Sequence, residues 1–218
     1  YMIFENRADA GRQLAAAIPA IEPKETVAVA LPRGGVPIAA EICATHRLPL
    51  DLVLVRKIGA PGNSELAVGA VTDGTTPHVT IDQRVARQFD LSQAEVERMG
   101  KALLPEIECR RDTYLGGRAN TPLDGKSVIV VDDGVATGST LIASLKALRS
   151  QKPARIIVAV PVAPSDFAVR LEGLADTFVC LSDLTYGSVG AAYRSFEQVD
   201  DATVTRALEK FASDGGVA

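Results

Sequence analysis

Histidine and cysteine are scarce in this 218-residue chain, and where they stand excludes two kinds of chemistry. His46 and His78 are the only histidines, and neither lies near a Ser, Cys or Asp pattern suited to nucleophilic catalysis. Cys43, Cys109 and Cys180 are odd in number and widely separated, without the spacing of a zinc site, so they read as reduced core or surface thiols. Long apolar runs are missing too. Stretches such as Ile156 to Val162 fall far short of the roughly 20 residues a membrane helix needs, so no membrane partner is expected. The N-terminus has no basic region followed by an apolar core, which predicts no secretory signal and a cytoplasmic protein. The net charge is -4 with basic residues scattered, which argues against a nucleic-acid surface but leaves room for a small anionic ligand. No Lys precedes Ser139-Thr140 to complete a P-loop, and neither GxGxxG nor a GxSxG elbow occurs, so the nucleotide-triphosphatase, dinucleotide and α/β-hydrolase readings lose support.

What remains is ordinary globular composition, 47% apolar and 23% charged, and a length that suits one domain over residues 1–218. Short apolar runs alternate with helical spacing. Val27 to Leu31, Leu52 to Val55, Val128 to Val131, Ile156 to Val162 and Thr177 to Leu181 read as strands. Helices are predicted from Glu5 to Ile18, Val36 to Thr45, Gly138 to Ser150, Ser165 to Leu171 and Asp201 to Ala212. Val85 to Tyr114 reads as a long polar helical stretch that breaks at Leu91-Ser92, where Ser92 and Glu95 form a capping box. Leu66 to Thr72 and His78 to Ile81 suggest a hairpin, and Arg56 to Asn63 reads as a loop because of its Gly and Pro content. Nearly continuous apolar strands between helices predict an α/β fold with a mostly parallel sheet covered on both faces. Ligands in such folds bind beyond the carboxyl ends of the strands, where the loops after Leu31, Val55 and Val131 are expected.

The loop after Val131 holds the densest chemistry. Val128-Ile-Val-Val-Asp132-Asp133-Gly134-Val-Ala136-Thr137-Gly138-Ser139-Thr140 joins a buried strand, two acids, a small-residue loop and a helix start. Backbone N–H groups of such a loop, the helix dipole and the Thr and Ser hydroxyls favour a phosphate. Adjacent carboxylates would repel that phosphate and suit sugar hydroxyls or a divalent cation instead. Taken alone, the acids also fit a capping role or a phospho-acceptor pocket, and Gly-Ser-Thr an N-cap with a turn.

The complete string closely resembles the phosphoribosyl-diphosphate motif of type I phosphoribosyltransferases. That resemblance implies the family's fold, a twisted parallel sheet with a small variable hood, here from the N- and C-terminal segments around a core of about residues 24–182. It implies that Asp132 and Asp133 hold the ribose hydroxyls, and that Ala136, Thr137, Gly138, Ser139 and Thr140 hold the 5-phosphate. Leu31-Pro32-Arg33-Gly34-Gly35 resembles the family's pyrophosphate loop, with Arg33, Gly34 and Gly35 meeting the diphosphate. Arg56-Lys57-Ile58-Gly59-Ala60-Pro61-Gly62 resembles a stretch of adenine phosphoribosyltransferases, where charged residues line the diphosphate and a mobile loop follows. Surface salt bridging is the bland alternative for Arg33, Arg56 and Lys57.

The implied reaction transfers the phosphoribosyl group of 5-phosphoribosyl-1-pyrophosphate to a nitrogenous base. Arg33, Arg56 and Lys57 would act on the leaving group, with Mg²⁺ carried by the substrate near Asp132 and Asp133 rather than by a dedicated metal site. A flexible segment from Gly59 to Gly74 would exclude water. Hypoxanthine-guanine enzymes carry an acid where this chain has Ala136, so the resemblance points nearer to the adenine type. The acceptor is expected against Ser182 to Gly187 and Tyr193 to Phe196, with Tyr186 or Tyr193 as stacking rings. Phe4 to Arg7 are further candidates. A homodimer is compatible with the resemblance, as is a non-catalytic sensor on the same fold.

Overall fold

Strands that are apolar on both faces need helices on both faces, and the chain supplies them in alternation. The computed structural model describes residues 3–73, 77–119, 121–184 and 187–212. It opens with α1 (Arg7–Ala17), β1 (Thr26–Ala30), α2 (Gly35–His46) and β2 (Leu50–Leu52). Next come β3 (Val55–Ala60), β4 (Asn63–Thr72), β5 (His78–Ile81), α3 (Gln83–Gln88), α4 (Gln93–Ala102) and α5 (Leu104–Leu115). β6 (Ser127–Val131), α6 (Ser139–Ser150), β7 (Arg155–Ala163), β8 (Thr177–Asp183) and α7 (Asp201–Lys210) follow.

The main sheet has five strands in the order β2-β1-β6-β7-β8, every neighbour parallel. Alternation along each strand divides the core. Ala28, Ala30, Ile129 and Val131 pack with Leu14, Ile38 and Ile42 of α1 and α2 and with Val204 and Leu208 of α7. Val27, Val29, Val128 and Val130 face the opposite layer, Leu141, Leu145 and Leu148 of α6 and Phe167. From β1 the chain proceeds outward to β2 through α2, and from β6 it proceeds the other way to β7 through α6. The order therefore reverses between β1 and β6, and the loops after these two strands meet at the crevice where open α/β sheets bind ligands.

Between β2 and α5 the chain builds a second, antiparallel sheet in the order β3-β4-β5. Ile58 and Val68 pack there against Val85 of α3 and Val96 of α4. Asp73 ties this sheet to the rest. Its backbone N–H donates to Leu54 O at 3.0 Å, its Oδ1 accepts from Leu54 N at 2.9 Å, and its Oδ2 accepts from the Arg111 guanidinium on α5.

Several expectations are revised here. Arg56 to Ala60 is a strand, not part of a loop, because β4 pairs it through register shifts at Gly59 and Ala60 that accommodate the small residues; Pro61 and Gly62 form the turn. The expected mobile segment accordingly lies largely in β3 and β4, and β4 is paired on both edges. The strand expected over Leu52 to Val55 ends at Leu52, with Val53 and Leu54 crossing between sheets. The long helical stretch breaks at the Ser92 capping box as expected and again at Leu103, ahead of Pro105, giving α3, α4 and α5. Phe167–Leu171 forms a 3-10 helix in place of an α-helix. Among the described residues no helix is long and apolar enough to cross a membrane.

Candidate active site

Two loops at the switch point are pressed together so closely that their small residues are compulsory. After β1, Leu31 N–H donates to Val131 O at 2.9 Å, carrying the Pro32 to Gly35 loop alongside the acids that end β6. A Cβ on Gly34 would lie 1.9 Å from Asp133 Oδ2. The Pro32–Arg33 peptide is cis.

After the acids, Val135 is buried and its N–H donates to Val162 O at 2.8 Å, pinning the loop to β7. Ala136, Thr137 and Ser139 are exposed. Gly138 takes the N-cap position of α6 in the left-handed region, φ 71°, and supplies no side-chain cap. A Cβ there would meet Phe167 at 2.2 Å. The first turn of α6 thus presents N–H groups without a side-chain acceptor, on an accessible loop of small residues, at the positive end of a 12-residue helix. That is the arrangement in which backbone N–H groups take a phosphate.

The acid pair is asymmetric. Asp133 Oδ2 accepts both Nε (2.9 Å) and Nη2 (2.8 Å) of Arg7. Arg7 Nη1 donates to Glu197 O at 2.7 Å, and its guanidinium carbon lies 3.8 Å from the Phe196 ring centre. Among the described residues Asp132 makes no ion pair; its Oδ1 accepts the Asp133 N–H at 2.8 Å. Burial, then the Asp133 charge, pushes the Asp132 carboxyl well above the usual carboxylate range.

The basic residues singled out in the sequence do not converge on one point. Arg33 belongs to the loop packed against the acids, but its Nη1 lies 3.5 Å from Asp201 at the start of α7, where Asp201 also accepts the Tyr114 hydroxyl at 2.8 Å. Arg56 and Lys57 are neighbours on β3, and strand alternation sends them apart. Arg56 pairs with Glu106 of α5, whereas Lys57 lines a cavity shared with Ser139 of the phosphate loop.

Tyr193 is not an open stacking face. Its ring is buried, with ring centres 5.6 Å from Phe4 and 4.9 Å from Phe196, and its hydroxyl donates to Asp133 O at 2.6 Å. Packing has recruited it as a strut because Phe4, Ala10, Val162 and Ala192 gather around it, and Phe196 is left as the exposed ring of this corner. Tyr186 lies outside the described residues. Arg7, named in the sequence only as part of a terminal segment, proves to be the direct partner of Asp133; no local pattern marks a contact spanning 126 positions.

A phosphoribosyl transferase domain signature matches residues 2–191. The chain belongs to the type I phosphoribosyltransferase family. Two Mycobacterium tuberculosis proteins, from strains CDC 1551 and H37Rv, whose names give phosphoribosyl transferase provisionally, are 37% identical to it over 221 residues. Those matches cover 99% of this chain and 49% of each relative, so the chain spans about half the length of the curated relatives it matches. The crystal structure of TT1426 from Thermus thermophilus is also 37% identical, with a TM-score of 0.83 over 97% of this chain and 100% of that one. The parallel sheet with helices on both faces is the fold of this family.

Proposed function

We propose that the chain binds 5-phosphoribosyl-1-pyrophosphate and transfers its phosphoribosyl group to a nitrogenous base. The observation that carries this reading is the uncapped N-terminus of α6 directly after Asp132 and Asp133, at the β1/β6 switch point. Ala136 to Thr140 would take the 5-phosphate, the acid pair the ribose hydroxyls, and the Arg33-Gly34-Gly35 loop the diphosphate.

The C1–O bond to pyrophosphate breaks, a C1–N bond to the base forms, and the base nitrogen gives up its proton. Charge gathers on the departing diphosphate, so preorganised cations there lower the barrier. Arg33 and Lys57 are the residues we assign to that role, with Arg56 joining them on release from Glu106. Asp132 and Asp133 at the end of β6 are the carboxylates that would stand nearest to Mg²⁺ arriving with the diphosphate, where the ion would supply positive charge to the leaving group. Ala136 offers no acid for exchange with a 6-oxopurine, which favours an adenine-type acceptor, and Phe196 replaces Tyr193 as the hood ring we assign to it.

The test is incubation with 5-phosphoribosyl-1-pyrophosphate, Mg²⁺ and a panel of bases, reading binding and pyrophosphate release together. Release with at least one purine is expected. Binding without release across the panel would make the chain a sensor, and no binding would overturn the reading.

A further inference from the structure

Beside the phosphate loop, a cavity of about 610 Å³ opens between α6, the antiparallel sheet and α3. Among the described residues its lining carries five cationic side chains, Lys57, Arg84, Arg87, Lys146 and Arg170, and one carboxylate, Asp82. That carboxylate is already engaged as the cap of α3, its Oδ1 accepting Arg84 N and Val85 N at 3.0 Å each. Elsewhere among the described residues eight basic side chains are ion-paired, and none of the eight lines this cavity. In a chain of net charge -4, five cations that make no ion pair among the described residues share one concave place.

They reach it from separate elements: Lys57 from β3, Arg84 and Arg87 from α3, Lys146 from α6, Arg170 from the 3-10 segment. Bringing like charges to one space is unfavourable until an anion sits among them. The floor is small and apolar, with Ala67 and Ala70 of β4 facing Ile142 and Ala143 of α6, which leaves room for an organic body. The volume lies within the range of about 300–1,000 Å³ usual for small-molecule sites.

We propose that this cavity binds a small molecule carrying a polyphosphate chain, of nucleotide size, at a site that adjoins the phosphate loop and borders it at Lys57 and Ser139. Arginine forks grip phosphate oxygens in pairs and lysines add mobile charge. The two sites share a wall. Ser139 lines the cavity, and Arg170 Nη1 donates to Thr137 O at 2.7 Å, so an occupant that draws on Arg170 acts on the loop. The cavity's charge stands whether or not the chain transfers a phosphoribosyl group.

Calorimetric titration of the full chain with inorganic triphosphate and, separately, with ATP tests this. Binding is expected to persist in Thr137→Asp, which puts a carboxylate in the phosphate loop, and to weaken about tenfold or more in Arg87→Ala/Lys146→Ala. Both changed residues are exposed, so the fold should survive the double substitution. Tighter binding of ATP than of triphosphate, with the same variant pattern, identifies a nucleotide as the occupant; equal or tighter binding of triphosphate identifies an inorganic polyphosphate. The proposal is overturned if neither probe binds, if the double variant binds as the parent does, or if Thr137→Asp alone abolishes binding. Affinity for 5-phosphoribosyl-1-pyrophosphate, lost in Thr137→Asp and kept in the double variant, reports on the transferase reading separately.

Discussion

Arg7 and Asp133 are 126 positions apart, yet two nitrogens of one guanidinium meet a single carboxylate oxygen at 2.9 and 2.8 Å. The contact fastens the amino-terminal segment to the loop that ends β6, and both side chains are largely buried, 12% and 17% exposed. Removing one partner strands the other charge. Arg7→Met should therefore lower the unfolding free energy by about 3 kcal/mol, and Arg7→Lys should recover only part of it because an ammonium cannot reproduce the fork. Denaturant unfolding measures both; an unchanged midpoint in Arg7→Met would mean the pair holds nothing.

The raised Asp132 carboxyl predicts a pH dependence of opposite sign to the usual salt-bridged acid. Its value in the folded chain lies well above the ordinary 3.8, so the folded state holds the proton more tightly. The stability this contributes is fully present below about pH 4 and is lost as pH rises through the raised value. Asp132→Asn removes the titration: its stability should exceed the parent's at neutral pH, with a flatter profile, while binding of 5-phosphoribosyl-1-pyrophosphate falls. Parallel pH profiles for the two proteins would contradict this.

Gly138→Ala meets two obstacles at once, a φ of 71° and a Phe167 ring atom 2.2 Å from the new Cβ. A loss of more than about 2 kcal/mol in stability is expected, together with weaker phosphate binding as the loop shifts. Thermal melting with and without 5-phosphoribosyl-1-pyrophosphate separates the two effects, and a variant as stable as the parent would count against the described loop.

Lys57 and Arg56 are adjacent but face different surroundings, so their alanine variants should differ. Lys57→Ala is expected to slow pyrophosphate release about tenfold or more, as loss of one positioned charge. Arg56→Ala breaks an exposed pair with Glu106, each side chain about half exposed, and should change stability by less than about 1 kcal/mol. Identical kinetics for Lys57→Ala and the parent would remove Lys57 from the reaction.

If the acceptor is chosen at position 136, Ala136→Asp should raise activity with hypoxanthine relative to adenine. Competition between the two bases in one assay reads the ratio directly; a ratio that does not move places the choice in the hood instead.

Much of this was legible in local chemistry. Four β-branched residues followed by two acids and a Gly-containing loop announced β6, the turn after it and α6, because strand burial and the helix start depend on residues within a few positions. The Ser92 capping box marked a helix start for the same reason. Arg56 to Ala60 misled, since glycine and proline content suggests a loop, whereas pairing with β4 makes the segment a strand and its alternation separates Arg56 from Lys57.

The sequence by itself determined the layered α/β class and the small-residue loop between β6 and α6, both of them written in periodicity and short-range spacing. Only the tertiary structure decided which charge stands by which. It gave Asp133 to Arg7, turned Arg33 toward Asp201, withdrew Tyr193 into the core and gathered the cations beside α6. Those outcomes depend on which strands pair and which chain ends meet, relations between distant positions that no local pattern encodes.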